Sequence, residues 1–330
     1  MKKNWITLGF NAKEICSVEK FVSYKKGELL QYINDIHFAH FDANILPSGR
    51  CSTKFSKKDM KNFLKICLSN KIKTTLLLNY GHYKLDDIKN ILNKIYLPLG
   101  LSSVVVSDKY LAEILKKCYP ELTIQGSCIS YIDTIDGLLD EAKYGIELHN
   151  PATWTIRNMP FIQNIHKVGL KQKHMMSEGC ARKCKLELWH RSEVLRDIYH
   201  DLYGSCARTI TNIYIFLMGN WITIKQLKRM ERYIDILKLP RSMFFSFDDL
   251  FRFITIYDTE EPYNIFDFWG SPLAQIREKN IIMSDVFDDE FFDKTISDEI
   301  NISFLNHYVS KLYDIPFFTD KGLINGFENN

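Results

Sequence analysis

Apolar, β-rich segments alternate with amphipathic segments along most of the chain. In the segments between the apolar ones, hydrophobic residues recur three and four positions apart, as at Phe63, Ile66 and Cys67, which is the spacing of a helix with one buried face. We predict strands at residues 5–9, 35–41, 73–78, 102–106, 122–125, 145–148, 172–176, 212–217 and 234–239. We predict helices at residues 56–68, 85–95, 109–118, 131–142, 158–168 and 223–233.

The repeated order of strand and helix predicts an α/β fold, with a parallel sheet covered by helices. About eight such units in about 240 residues match the size of a TIM-like (β/α)8 barrel. An open, doubly wound sheet is the alternative, but no Gly-x-Gly-x-x-Gly turn follows the first predicted strand. We therefore predict that residues 1–250 form a TIM-like barrel that carries the functional site.

The pattern changes near residue 245, where phenylalanine and acidic residues become frequent. Residues 247–257 predict a last helix packed on the barrel. We expect residues 251–330 to form a mostly helical, aromatic-rich extension. Such an extension would provide either a contact for a partner subunit or a lid over the mouth of the barrel.

Charge and apolar runs along the sequence bear on whether the protein binds nucleic acid or crosses a membrane. The chain has 43 basic and 40 acidic residues, so its formal charge is only +3, and this balance argues against a nucleic-acid partner. No run of about 18 apolar residues predicts a transmembrane helix, and no export signal is visible at the first residues. We expect a cytoplasmic protein whose eight cysteines are reduced thiols.

The clearest chemical signal is a polar loop rich in cysteine. Cys180, Cys184 and Cys206 fall within 27 residues, directly after a predicted strand. Soft thiolates at irregular spacing fit an iron–sulfur cluster best, and zinc is the lesser alternative. A radical S-adenosylmethionine enzyme would need a further cysteine at the position of Glu187, so that class is disfavoured.

The fourth ligand of such a cluster has three candidates, namely Cys51, Cys128 and His190. Cys51 and Cys128 each follow a predicted strand. Because successive strands of a parallel barrel end on one face, either thiol can meet Cys180 there.

Catalytic candidates surround the same loop. His190 can ligate the cluster or donate a proton to a substrate oxygen. Arg182 and Arg208 flank cysteines and can hold a carboxylate by two parallel hydrogen bonds, while Arg241 follows a predicted strand at the barrel mouth. Weaker candidates on or after other predicted strands are His37, His40, Asp42, His149 and Asn150.

Several stretches together resemble one known family. The most specific is Ser-Glu-Gly-Cys-x-x-x-Cys-x-x-x-x-x-His at residues 177–190, and weaker matches lie at residues 50–54, 124–127, 220–227 and 235–241. On these residues the chain resembles the collagenase-like peptidase family, which includes the UbiU and UbiV anaerobic hydroxylation proteins. The resemblance spans roughly the first 260 residues.

The resemblance implies a TIM-like barrel with a 4Fe-4S cluster that serves oxygen-independent hydroxylation. Cys51, Cys180 and Cys184 match cluster ligands of the UbiV-like pattern. That pattern has a further cysteine about a dozen residues before the Cys-x-x-x-Cys pair, where this chain has none, so Cys206 would have to replace it.

Three functions remain open. The first is a redox enzyme for oxygen-independent hydroxylation of a small or carrier-bound substrate. The second is a collagenase-like peptidase, although no Gly-x-Ser-x-Gly or His-Glu-x-x-His motif is present. The third is a non-catalytic iron–sulfur subunit that works in a heterodimer with a partner of the same family.

Overall fold

The structure is a computed structural model. It describes residues 1–9, 19–20, 22–42, 45–46, 56–78, 84–178, 183, 213–239, 247–268, 282–296 and 301–312. Seven parallel strands form one sheet in the order β5-β4-β3-β2-β1-β9-β6, and β7 and β8 form a short antiparallel ribbon. The strands are β1 (Ile6–Gly9), β2 (Ile33–Phe38), β3 (Lys73–Leu78), β4 (Ser103–Val106), β5 (Thr123–Gly126), β6 (Lys173–Met175), β7 (Ser177–Glu178), β8 (Asn220–Trp221) and β9 (Ile236–Lys238).

Helices separate most of these strands along the chain. The α-helices are α1 (Lys57–Ser69), α2 (Leu85–Ile91), α3 (Lys109–Cys118), α4 (Ile135–Lys143), α5 (Met159–Lys167), α6 (Ile213–Leu217), α7 (Ile224–Met230), α8 (Phe247–Thr259), α9 (Asp289–Lys294) and α10 (Ile302–Leu312). Short 3-10 helices lie at Tyr24–Tyr32, Leu97–Leu99, Cys128–Ser130, Thr153–Arg157, Ile265–Phe268 and Ser284–Val286, and a π-helical turn lies at Leu92–Tyr96.

Local sequence explains where the helices begin. The Ser56 hydroxyl accepts a hydrogen bond from the Asp59 amide at 3.1 Å and so caps the start of α1. The caps of α3, α4 and α7 are the side chains of Asp108, Thr134 and Thr223. Each of these side chains accepts a hydrogen bond from a main-chain amide in the first turn, which has no partner within the helix.

The two faces of the sheet differ in character. On the outer face, apolar side chains pack against the helices, as where the rings of Phe38 and Phe63 lie 5.7 Å apart. On the other face of the same strand β2, Asp35 and His37 are buried among polar side chains. Side chains alternate between the faces of a strand, so β2 contributes to both environments.

The residues around Leu148 connect the two end strands of the sheet. The Gly126 amide of β5 donates to the Leu148 carbonyl oxygen at 2.9 Å, and the Lys173 amide of β6 donates to the His149 carbonyl oxygen at 2.7 Å. The predicted strand at residues 145–148 is therefore present only as isolated parallel bridges. The parallel seven-stranded sheet confirms the α/β class, and closure into a (β/α)8 barrel stays a prediction.

One predicted strand was wrong. Within residues 212–217, Ile213–Leu217 is the helix α6, and Phe216 and Leu217 are buried in the hydrophobic core. A short apolar run has no periodicity that separates a buried strand from a buried helix.

The C-terminal helices pack on the same hydrophobic core as the sheet. Phe253 of α8, Phe291 of α9 and Tyr308 of α10 belong to one buried cluster with Trp5 and Leu237. The helix α8 runs across the predicted boundary between residues 250 and 251, and that boundary stays a prediction. None of the described helices combines the length and apolarity that crossing a membrane requires.

Arg157 links the C-terminal helices to the rest of the fold. Its guanidinium donates to the carbonyl oxygens of Trp221 at 2.9 Å and Leu217 at 2.6 Å, and to the Thr295 hydroxyl at 3.1 Å. It also lies 4.7 Å from the ring centre of Trp221 and 5.3 Å from that of Phe291. A single buried side chain therefore joins the turn at Thr153–Arg157 to the region of α9.

Candidate functional site

Most of the predicted site residues fall in segments that the structure leaves undescribed. These residues are the cysteines Cys51, Cys180, Cys184 and Cys206 and the catalytic candidates His190, Arg182, Arg208 and Arg241. Their proposed roles therefore stay predictions. Cys128 is described: it begins the turn directly after β5 and is only 4% exposed.

The described site is a buried polar network on the concave face of the sheet, which we call the lysine network. Gln125 of β5 and Lys173 of β6 belong to the two end strands, yet their side chains bond to each other at 2.7 Å, so the sheet curves strongly around this face. The members of the lysine network are Thr7, Asp35, His37, Thr75, Ser103, Gln125 and Lys173, and all are buried.

Lys173 is the centre of the network and is 1% exposed. Its ammonium donates to Gln125 Oε1 at 2.7 Å, His37 Nε2 at 3.0 Å and Asp35 Oδ2 at 3.4 Å. A lysine ammonium has three donors, so all three are used. Lys173 is thus held as a positioned cation rather than as a free amine.

Asp35 balances this charge from β2. Its Oδ2 accepts from the Thr75 hydroxyl at 2.6 Å and from Gln125 Nε2 at 3.2 Å, and its Oδ1 accepts from the Thr7 hydroxyl. Gln125 Nε2 also donates to the Ser103 hydroxyl at 2.8 Å. Each buried polar atom in this part of the network has a partner, as the burial of polar groups requires.

Burial shifts the titration of the network. Loss of solvation lowers the pKa of Lys173 to about 8, and the nearby Asp35 carboxylate offsets part of that shift. Burial alone would raise the pKa of Asp35, but the charge of Lys173 and the hydrogen bonds hold it well below its usual value. The pair is therefore ionised at neutral pH.

His37 is neutral in the same environment. Burial and the charge of Lys173 together lower the pKa of His37 to about 3. His37 Nε2 lies 3.0 Å from the Lys173 ammonium and 3.2 Å from Asp35 Oδ2. Because the ammonium can only donate, Nε2 is assigned as its acceptor and the proton of the neutral ring is assigned to Nδ1. Nδ1 is buried and has no hydrogen-bond partner among the residues that the structure describes.

A second polar cluster lies just beyond the carboxyl end of β5, near Cys128. His149 Nδ1 lies 3.2 Å from Glu141 Oε2, and both side chains are buried. A Cβ atom on Gly126 would lie only 3.1 Å from that same Glu141 oxygen, so this close approach favours glycine. Both polar side-chain atoms of Asn150 are buried and lack a partner within the described parts of the chain.

Lys183, a residue of the cysteine loop, contacts the segment that follows Cys128. It lies between Cys180 and Cys184 in the chain, and its ammonium is 3.8 Å from Asp133 Oδ2. Asp133 also accepts from the Trp154 indole at 3.1 Å. One residue of the cysteine loop is thus placed beside the segment that follows Cys128.

The sequence indicated His37 only weakly and did not indicate Lys173, Asp35 or Thr75 as site residues. The available signal was a charged or hydroxyl residue at alternate positions of several predicted strands. His149 and Asn150, also weak candidates, are buried next to the end of β5. His40 bonds through Nδ1 to the Tyr96 hydroxyl at 2.5 Å, within the aromatic packing around Phe38.

Comparisons with known proteins identify a shared fold. No protein-family model matches the chain, and no curated protein matches it. The U32 peptidase Mk0906 is similar in structure, with a TM-score of 0.51 and 12% sequence identity over 72% of this chain and 92% of that chain.

Two further solved structures are more distant. For 2,3-dimethylmalate lyase, a member of the PEP mutase/isocitrate lyase superfamily, the TM-score is 0.40 at 9% identity over 77% of this chain and 80% of that chain. For an alpha-amylase from Lactobacillus plantarum, the TM-score is 0.35 at 9% identity over 66% and 69% of the two chains. The comparisons therefore place the chain beside a U32 peptidase in fold, at an identity that shows the fold alone.

Proposed function

We propose that this chain is an iron–sulfur barrel protein that acts in redox chemistry, namely oxygen-independent hydroxylation of a small or carrier-bound substrate. One observation carries the proposal. The strands β2, β5 and β6, which precede the cysteine segments, are parallel members of one sheet, so their carboxyl ends lie on the same side. Cofactor and active sites of such folds are built on that side.

Closure of the sheet into a (β/α)8 barrel is part of the proposal. The residues 147–149 bond to β5 on one side and to β6 on the other, in the position of an eighth strand. The fold shared with a U32 peptidase supports the same family that the cysteine loop resembles.

The cysteine thiolates proposed as ligands suit an iron–sulfur cluster. Cys180 follows the end of β7 at Glu178, and Cys128 is buried directly after β5. We propose Cys180, Cys184, Cys206 and Cys51 as the four ligands, with Cys128 or His190 as alternatives for the last. The contact between Lys183 and Asp133 favours an arrangement in which the cysteine loop lies near Cys128.

A bound 4Fe-4S cluster would supply an electron or an open iron position for an oxygen-bearing donor. The residues of this chain would do the remaining work. Arg182, Arg208 and Arg241 would hold a carboxylate of the substrate, and His190 would donate a proton to a substrate oxygen. The lysine network supplies a buried, hydrogen-bonded ion pair of Lys173 with Asp35 inside the sheet.

The test is the iron and sulfide content of protein purified without oxygen. We expect brown protein with about four irons and four sulfides per chain. Cys180→Ala and Cys51→Ala should lose the colour, while Cys118→Ala, at an exposed position on α3, should keep it. Colourless, iron-free protein from an anaerobic preparation would refute the proposal.

A collagenase-like peptidase is the second candidate, and the fold of the U32 peptidase favours it. It ranks lower because the three hydroxyls of the lysine network, those of Thr7, Thr75 and Ser103, are buried and hydrogen-bonded within it, out of reach of a peptide. Peptide hydrolysis in air by colourless protein, unaffected by the cysteine substitutions, would favour the peptidase.

We propose that this chain forms a heterodimer with a second subunit of the same family. Purification of the tagged chain from its source without oxygen tests this. Co-purification of a second barrel protein, in a constant molar ratio to this chain and to the iron, would support a heterodimer. A single chain that contains iron and is active by itself would contradict it.

A further inference from the structure

Lys238 is a second lysine on the polar face of the sheet. It is the last residue of β9, and its backbone pairs with Thr7 of β1, which in turn pairs with Asp35 of β2. Paired residues of neighbouring strands point to the same face, so Lys238 shares the face of the lysine network. It is half-buried, and its ammonium has no hydrogen bond or ion pair with any residue that the structure describes.

His37 presents a second unused donor on this face. It pairs with Gly9, the last residue of β1, and so lies nearer to the carboxyl ends of the strands than Asp35 does. Its Nδ1–H is buried and lacks an acceptor among the described residues, although buried donors are nearly always bonded. No residue in the described part of the chain supplies that acceptor.

Lys238 brings a charge that no described carboxylate pairs with. Around it, Asp35 and Lys173 neutralise each other and His37 is neutral, so among these four described residues the ammonium of Lys238 is the one unbalanced charge. Lys238 lies on β9, which pairs with β1 on one side and with β6, the strand of Lys173, on the other. Its charge accordingly lowers the pKa of both His37 and Lys173. The carboxylate of Asp35 already accepts bonds at both oxygens, so it does not compensate Lys238.

We propose that His37 and Lys238 form the binding site of a small oxyanion with a single charge, at the carboxyl ends of β1, β2 and β9. The ligand oxygen accepts the Nδ1–H of His37, and its charge is neutralised by the ammonium of Lys238. A carboxylate meets both requirements. Inorganic phosphate offers the same oxygens, but it carries a second charge in part of its population at neutral pH, which the single excess cation does not match.

This inference does not rest on the proposed iron–sulfur function. The two residues lie on strands of the described sheet, and neither is a proposed cluster ligand. The site should therefore bind an oxyanion in protein from which iron is absent. If no oxyanion binds, the iron content of the protein is unaffected. The two proposals can therefore be refuted independently of each other.

The experiment is calorimetric titration of the full chain with sodium acetate, and separately with sodium phosphate, at constant ionic strength with chloride as the background anion. We expect saturable binding of one acetate per chain. Lys238→Met should weaken acetate binding about tenfold or more, as expected for loss of a hydrogen bond to a charged group. The matched control is Lys117→Met, at an exposed lysine on helix α3, and it should bind as the unaltered protein does.

A second measurement keeps the proposal testable if Lys238→Met does not fold. In the unaltered protein, nitrogen-15 spectra of the histidine rings should show the Nδ1 signal of His37 shift on addition of acetate, with His37→Gln identifying that signal. Absence of saturable acetate binding, or binding that leaves the His37 signal unchanged, would overturn the proposal. Binding of phosphate without acetate would overturn the single-charge assignment.

Discussion

Two fully buried cations in this protein are held by opposite means. Lys173, inside the curved sheet, is neutralised by the carboxylate of Asp35 at 3.4 Å. Arg157, beneath the C-terminal helices, is bonded to the main-chain carbonyl oxygens of Leu217 and Trp221 and is covered by aromatic rings.

The difference follows from the chemistry of the two groups. An ammonium is a compact, strongly hydrated charge, so burying it lowers its pKa, and a nearby carboxylate offsets only part of that shift, as at Lys173. A guanidinium is planar, more weakly hydrated and always protonated, so carbonyl oxygens and ring faces can hold it. The interior of the sheet should therefore respond to pH and to single charge deletions, while the region around Arg157 should respond mainly to loss of packing and hydrogen bonds.

The largest expected difference between the two regions is in how acid changes their contribution to the free energy of unfolding. Burial lowers the pKa of His37 and His174 to about 3 and that of His40 to about 4, whereas the unfolded chain titrates near 6.5. The unfolded state therefore binds more protons below pH 6.5, and the stability is lost as the pH falls. At pH 5 each histidine should cost about 2 kcal/mol of the free energy of unfolding, or about 6 kcal/mol together.

Urea unfolding at pH 7, 6 and 5 measures this loss. Arg157 stays charged throughout and should contribute nothing to the slope. His174→Gln should reduce the pH dependence by about a third, because one of the three titrating groups is removed. A free energy of unfolding that is constant between pH 7 and 5 would contradict the assignment.

Deleting the charge of Lys173 should have the next largest effect. Lys173→Met leaves the Asp35 carboxylate buried without its cation, so the free energy of unfolding should fall by about 3–5 kcal/mol. The double variant Lys173→Met with Asp35→Asn should be less destabilised than the sum of the two single changes, because it removes both charges. Additive losses in urea unfolding would show that the pair is not coupled.

Arg157→Met should cost less, about 2–3 kcal/mol, since it removes the hydrogen bonds to two buried carbonyl oxygens and the contacts with the aromatic rings. Limited proteolysis should then cut more readily within residues 289–312, which lose their link to the turn at Thr153–Arg157. The matched control is Arg229→Met, whose partly exposed ion pair with Asp293 at 3.4 Å should be worth under about 1 kcal/mol. Equal losses from both variants would contradict the role of Arg157.

The smallest expected change in stability is the difference between substitutions at two neighbouring threonines of β3. Thr75→Val removes the hydroxyl that bonds Asp35 at 2.6 Å and should cost about 1–2 kcal/mol. Thr74 points to the other face, and its buried hydroxyl has no partner among the described residues. Thr74→Val should therefore be neutral or stabilising in thermal unfolding, and a loss equal to that of Thr75→Val would argue against the network.

The sequence predicted those elements whose signals are local. The predicted helix at residues 109–118 has the same bounds as α3, because Asp108 caps its start and its apolar residues keep helical spacing. The predicted strand at residues 73–78 has the same bounds as β3. The strand predicted at residues 212–217 failed because five apolar residues fit either structure, and packing against the core decided for a helix.

The candidate site was harder to predict because its contacts are distant in the chain. Lys173 and Asp35 are 138 positions apart, and alternation along β2 does not say which face lies inside the sheet. His37 is a candidate because it lies on the second predicted strand, whereas Lys173 lies on a predicted strand with no other chemical signal beside it. The cysteine loop was the stronger signal, and its ligands stay predictions.

The sequence by itself determined the alternation of strands and helices, the buried helix faces and the clustering of Cys180, Cys184 and Cys206, because each depends on residues close together in the chain. Tertiary structure alone decided the curvature that brings Gln125 to Lys173, the ion pair of Lys173 with Asp35 and the position of His37 Nδ1, which no described residue bonds. The physical reason is that the pairing of a buried charge is set by which strands become neighbours and which face they turn inward.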